Sequence, residues 1–78
     1  MKYLYFSASW CGPCKILGPT MQKVNQTIPV TKIDVESDPQ STAEYSIINI
    51  PTVILIKDGK EVKRFTGAQP LETYLNPL

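Results

Sequence analysis

At 78 residues the chain is sized for a single domain, residues 1–78, and such a chain buries only about 60% of the surface its unfolded form exposes. Its composition, 42% hydrophobic and 19% charged, is that of a soluble globular domain, and eight Lys/Arg against seven Asp/Glu leave a net charge of +1. Basic residues gather only at Lys57, Lys60, Lys63 and Arg64 around a turn, which reads as a solvated hairpin and argues against nucleic acid or a membrane surface as partner.

Lys2 to Ser7, KYLYFS, is apolar and aromatic and predicts a buried strand. Cys11-Gly12-Pro13-Cys14 then turns the chain into a helix. Leu17, Met21 and Val24 recur at i, i+4 and i+7, and Ile28 extends the stripe; Met21 reads as core filler rather than a ligand. Pro19 removes a backbone donor inside this pattern and predicts a kink, and Pro29 closes the segment. Val30 to Val35, VTKIDV, alternates as a second strand, with Val30, Lys32 and Asp34 on one parity and Thr31, Ile33 and Val35 on the other. Asp38 can cap and Pro39 fits a first helical position, so a short helix to about Tyr45 follows. Thr52 to Ile56, TVILI, is apolar on both faces and predicts a central third strand. Lys57 to Lys60, KDGK, is an Asp-Gly hairpin turn into an antiparallel fourth strand, Glu61 to Thr66. Gly67-Ala68 breaks that strand, and Gln69 to Leu75 forms a last short helix ended by Pro77. The order β-α-β-α-β-β-α, with a right-handed crossover making the first two strands parallel, gives an α/β fold with a four-stranded mixed sheet flanked by helices.

Cys11 and Cys14 are the only cysteines, and histidine is absent. A structural zinc site needs about four ligands, so zinc would require a dimer or carboxylates. A permanent staple across two residues closes a tiny loop and stabilises little. No apolar run approaches membrane length, and MKYLYFSASW enters the cysteine motif too soon to be a secretory signal, so a cytoplasmic location is expected, where staples do not persist. A Cys-x-x-Cys at a strand-to-helix junction is the context of a redox centre. At the helix N-terminus, Cys11 meets unpaired N–H groups and the positive end of the dipole, and both favour the nucleophilic thiolate. Cys14, one turn further in, is expected to be more buried and less reactive. Pro13 starts the helix without wasting a donor, and Gly12 lets a partner backbone approach.

Trp10 to Lys15, WCGPCK, followed by Ile50 to Thr52, IPT, and Thr66 to Ala68, TGA, resembles the thioredoxin family, and Pro19 matches that family's kinking proline. The resemblance covers nearly the whole chain from Lys2 on; thioredoxins usually carry a further strand and helix before this point, which leaves a miniature close to glutaredoxin in size. It implies the thioredoxin fold, with the second strand at a sheet edge blunted by Thr31 and Lys32. It implies Cys11 as attacking thiolate, Cys14 as resolving thiol and Pro51 as a cis-proline facing them, with the Ile50 backbone pairing an extended substrate. Trp10, Gly12, Pro13, Ile50, Gly67 and Ala68 would form an apolar docking rim. Plainer roles stand beside these: Trp10 as core, and Ile50-Pro51 as the start of a strand. Two positions depart from the family. Tyr5 stands where a buried aspartate usually serves the resolving thiol, and Ser7 stands where a second tryptophan is usual. Lys32 matches the lysine that partners that aspartate. The expectation is that Cys14 loses its proton through water or to Lys32, unless Tyr5 is only a core aromatic.

The function implied is thiol–disulfide oxidoreduction, reducing protein disulfides through a Cys11–Cys14 dithiol/disulfide cycle with no bound cofactor. A thioredoxin-reductase-like flavoprotein drawing on NADPH would reset a monomeric protein, and ribonucleotide reductase is the family-level candidate substrate. The Gly-Pro dipeptide favours reduction, because superfamily oxidants usually place a histidine there. Alternatives are a glutaredoxin-like protein reset by glutathione, with Lys15 and Lys32 near its carboxylates, a thioredoxin-fold binding subunit without redox activity, and a zinc-bridged dimer.

Overall fold

The computed structural model describes residues 1–78. Seven elements follow one another: β1 Lys2–Ser7, α1 Gly12–Val24, β2 Val30–Asp34, α2 Pro39–Glu44, β3 Thr52–Lys57, β4 Lys60–Thr66 and α3 Leu71–Leu75. They build one sheet in the order β2-β1-β3-β4. β1 pairs parallel with β2 and antiparallel with β3, and β3 pairs antiparallel with β4. The two apolar strands, β1 and β3, therefore lie at the centre, and the half-polar β2 lies at an edge. In β2 the exposed Thr31 and Lys32 put polar side chains on that strand.

Strand alternation divides the core into two. On one face Tyr3 and Tyr5 of β1 and Val53 and Leu55 of β3 meet the α1 stripe of Leu17, Met21 and Val24, with Ile28, Phe65 and Tyr74 completing the layer. On the other face Leu4, Phe6, Ile54 and Ile56 are covered by Ile33, Val35, Tyr45, Ile47 and Ile50. Tyr74 ties α3 down. Its ring lies edge-on to Tyr3 at 5.9 Å and to Phe65 at 5.2 Å, and its carbonyl accepts the Tyr3 hydroxyl at 2.6 Å. Each such aromatic pair adds about 1 kcal/mol beyond its buried area.

Local chemistry sets the element ends. α1 continues through Pro19 to Val24. Asp38 caps α2, its carboxylate accepting the Ser41 amide at 3.0 Å, which holds the carboxyl below the usual range. α2 stops where Ser46 turns left-handed at φ 52°. α3 is shorter at its start than the predicted Gln69 to Leu75. Pro70 is extended, and the Gln69 amide donates to the Tyr74 hydroxyl at 3.0 Å rather than into a helix. β4 carries a register shift opposite Leu55 and Ile56, which pairs Leu55 with Lys63 and Ile56 with Glu61. Arg64 on that strand is not a free basic residue of the hairpin. It forks onto both Glu61 oxygens at 2.8 Å and donates to the Tyr45 carbonyl, fastening β4 to the end of α2.

Candidate active site

β1 ends at Ser7, and the chain turns through Ala8 to Trp10, with the Cys11 amide donating to the Ala8 carbonyl at 3.2 Å. Cys11 is the cap of α1, in extended conformation, and its Sγ accepts the Cys14 amide at 3.2 Å. A sulfur thus fills the role that a serine or aspartate oxygen fills at an ordinary helix start. Pro13 sits in the first turn, as the motif predicts. Cys11 and Cys14 form a disulfide across a Cα separation of 5.2 Å. Burial does not separate the two, contrary to the expectation for Cys14: Cys11 is 5% and Cys14 4% exposed. In the disulfide both sulfurs belong to one small ring packed on the same neighbours, so only position on the helix distinguishes them.

Those neighbours come from distant parts of the chain. Ala8, Cys11 and Cys14 form one apolar cluster, against which Val35 and Ile50 pack. The Ile50-Pro51 peptide is cis, and Pro51 is fully buried. Neither the amide nor the carbonyl of Ile50 takes an intramolecular hydrogen bond. The Pro51 carbonyl accepts the Gly67 amide at 2.8 Å, which joins the Ile50-Pro51 loop to the Gly67-Ala68 loop. Gly67 has φ 85°, a left-handed value that suits glycine. Trp10 is 66% exposed and is no part of the core. Gly12, Pro13 and Ala68 are exposed, and Ile50 and Gly67 are half-buried. Sequence reasoning passed over Ile48, two residues before Ile50 and 90% exposed, the most exposed large apolar side chain of the chain. Its signal was an isoleucine in a loop with no strand or helix period to bury it.

Behind the cysteines lies Tyr5. Its hydroxyl donates to the Cys14 carbonyl at 2.7 Å. Burial raises its pKa, with the Ser7 hydroxyl acting weakly the other way, so the phenol keeps its proton at neutral pH. Parallel pairing sets Tyr5 beside Lys32 and Ser7 beside Asp34. Lys32 is exposed on the edge strand, and it shares a cavity wall with Tyr5 and Cys14. No cluster of three or more His, Cys, Asp or Glu side chains is placed to hold a metal ion. No helix is long and apolar enough to cross a membrane.

The thioredoxin family model matches residues 2–77. The chain belongs to the thioredoxin family. It is 41% identical over 73 residues to the thioredoxin of Chlamydia trachomatis, covering 90% of this chain and 72% of that one. It is 36% identical over 77 residues to the bifunctional thioredoxin reductase/thioredoxin of Mycobacterium leprae, covering 94% of this chain and 17% of that much longer one. Thioredoxin 1 of Thermosipho africanus superposes with a TM-score of 0.87 at 31% identity, over 97% of this chain and 88% of the other. With its helix-capping Cys11–Cys14 disulfide, this thioredoxin-family chain is a thiol–disulfide oxidoreductase.

Proposed function

We propose that residues 1–78 work as a single thioredoxin-like domain that reduces protein disulfides, with Cys11 as nucleophile and Cys14 as resolving thiol. The observation that carries the direction of attack is the Cys11 sulfur at the α1 cap, accepting the Cys14 amide. In the reduced pair that amide and the helix dipole stabilise a thiolate on Cys11. The Cys11 thiolate attacks one substrate sulfur, the substrate S–S bond breaks, and the first substrate thiol leaves. Cys14, giving up its proton, then attacks the Cys11 sulfur, the Cys11–Cys14 bond forms, and the second substrate thiol leaves. Two electrons pass to the substrate, and Lys32 favours the Cys14 thiolate through its charge.

The exposed Trp10, Gly12, Pro13 and Ala68, with half-buried Ile50 and Gly67, form the docking rim, and Pro51 shapes its floor. The unpaired amide and carbonyl of Ile50 suit an extended substrate segment laid alongside as an added strand. Gly12-Pro13 and the absence of histidine favour a reductant. The fusion of a thioredoxin reductase with a thioredoxin in the Mycobacterium leprae relative supports recycling by a flavoprotein reductase using NADPH. The domain acts as a cytoplasmic monomer.

Insulin reduction tests this reading. Reductase with NADPH sustains turnover of the wild-type chain, Cys11→Ser abolishes it, and Cys14→Ser accumulates a mixed disulfide detectable by mass. Turnover sustained by glutathione alone would replace the reading with a glutaredoxin-like one. Undiminished partner activity in a Cys11→Ser/Cys14→Ser chain would replace it with a binding module.

A further inference from the structure

The two departures from the family sequence meet in one place. Tyr5, Ser7, Cys14, Lys15, Lys32 and Asp34 line a cavity of about 340 Å³ between the carboxyl ends of β1 and β2 and the first turns of α1. The volume holds several waters, each of which needs roughly 30 Å³. A serine at position 7, where a tryptophan is usual, puts a small side chain on this wall. Lys15 and Lys32 are exposed, so the cavity is in contact with solvent. Resolution by Cys14 needs a base on this side of the sheet, and Tyr5 is not one. Its phenol is protonated and its hydrogen is committed to the Cys14 carbonyl. Lys15 of α1 and Lys32 of β2 present ammonium groups, which donate and do not accept. Asp34 of β2 is the one carboxylate on the wall. Its Oδ1 accepts the Glu36 amide at 2.8 Å and the Ser37 amide at 3.3 Å, which fixes the side chain. Its Oδ2 has no protein partner and no lysine pairs with it.

We propose that Asp34 takes the place of the missing carboxylate, receiving the Cys14 proton through water held in this cavity. The inference rests on the dithiol cycle proposed above. The Cys14 thiol hydrogen passes by way of water to Oδ2 as the Cys14 sulfur attacks the Cys11 sulfur of the mixed disulfide. The Cys11–Cys14 bond forms, the bond from Cys11 to the substrate breaks, and the leaving substrate thiolate keeps the electron pair. Asp34 then releases its proton to solvent through the open side of the cavity. A general base of this kind makes the step independent of pH between the carboxylate and thiol ranges.

Asp34→Asn tests this without disturbing the loop, because the amide oxygen still accepts the Glu36 and Ser37 N–H groups. The reduced protein is mixed with dithiobis(nitrobenzoate), whose coloured thiolate is released twice, first by Cys11 attack and then by Cys14 resolution. In the wild-type chain the second release is flat from about pH 5 to 7. In Asp34→Asn the first release is unchanged. The second slows by about tenfold or more at pH 6 and climbs with pH, as expected when only hydroxide removes the proton. A second release with wild-type rate and pH profile overturns the proposal. So does a slower one with the wild-type profile, which marks a structural role for Asp34. Absence of the first release from the wild-type chain would instead overturn the dithiol cycle itself.

Discussion

The Tyr5 hydroxyl bonds the Cys14 carbonyl from inside the core, so this residue supports the redox helix rather than titrating beside it. Tyr5→Phe keeps the ring and removes only that bond, and is expected to cost about 1 kcal/mol in urea unfolding with Cys11 attack unaltered. Tyr5→Asp is a poorer probe, since it deletes a buried aromatic along with the bond and loses several kcal/mol. Trp10 is the opposite case. At 66% exposure its removal leaves no cavity. Trp10→Ala should change stability by less than about 0.5 kcal/mol. If Trp10 belongs to the docking rim, the same variant raises KM for a protein disulfide several-fold and leaves reduction of a small aromatic disulfide untouched.

Each element is held by chemistry placed at its ends. The β3–β4 hairpin turns on Asp58 at φ 54° and Gly59 at φ 77°, two successive left-handed residues whose twist matches the strands they join. A Cβ on Gly59 would meet no atom within 4 Å. Gly59→Ala therefore isolates the backbone term, and a loss of about 1 kcal/mol in unfolding free energy is expected, with redox rates unchanged. α1 shows how an element carries function. Its apolar stripe anchors it on the sheet, so its first turn is held at the carboxyl end of β1, and the capping position there is filled by a nucleophilic sulfur instead of an oxygen.

For the whole molecule, three tyrosines share the α1 face of the sheet, and all titrate late. The Tyr3 pKa is pushed up to about 12, first by burial and then by the charge of Tyr74. Burial raises Tyr5 and Tyr74 in the same direction. Unfolded tyrosine titrates near 10. Between about pH 10 and 12 the unfolded chain has lost protons that the folded chain keeps, so stability falls as pH rises; below pH 10 the contribution is fully present. The urea midpoint should stay level from pH 8 to 10 and drop steeply by pH 12. A level midpoint across the whole range would mean that these hydroxyls reach water in the folded protein.

Neighbours along the chain dictate most of the local structure. Periods of two and of about 3.6 placed β1, α1 and β3, Asp-Gly placed the hairpin, and Pro13 with the cysteine spacing placed a thiol at a helix start. Local sterics and local hydrogen bonds set these, and they do not require the rest of the fold. The surroundings of the cysteines depend instead on register between strands far apart in sequence. Parity put Lys32 and Asp34 on one side of β2, but pairing with β1 set that side beside Tyr5 and Ser7, against Cys14. The start of α3 was misplaced for the same reason, since the Gln69 amide is held by a tyrosine hydroxyl carried in from the other side of Pro70 and seated by Tyr3 and Phe65. The cysteine motif was legible because its chemistry lies within four residues. The base that serves it was not, because a carboxylate twenty residues away becomes its neighbour only when a parallel strand pair brings the two together.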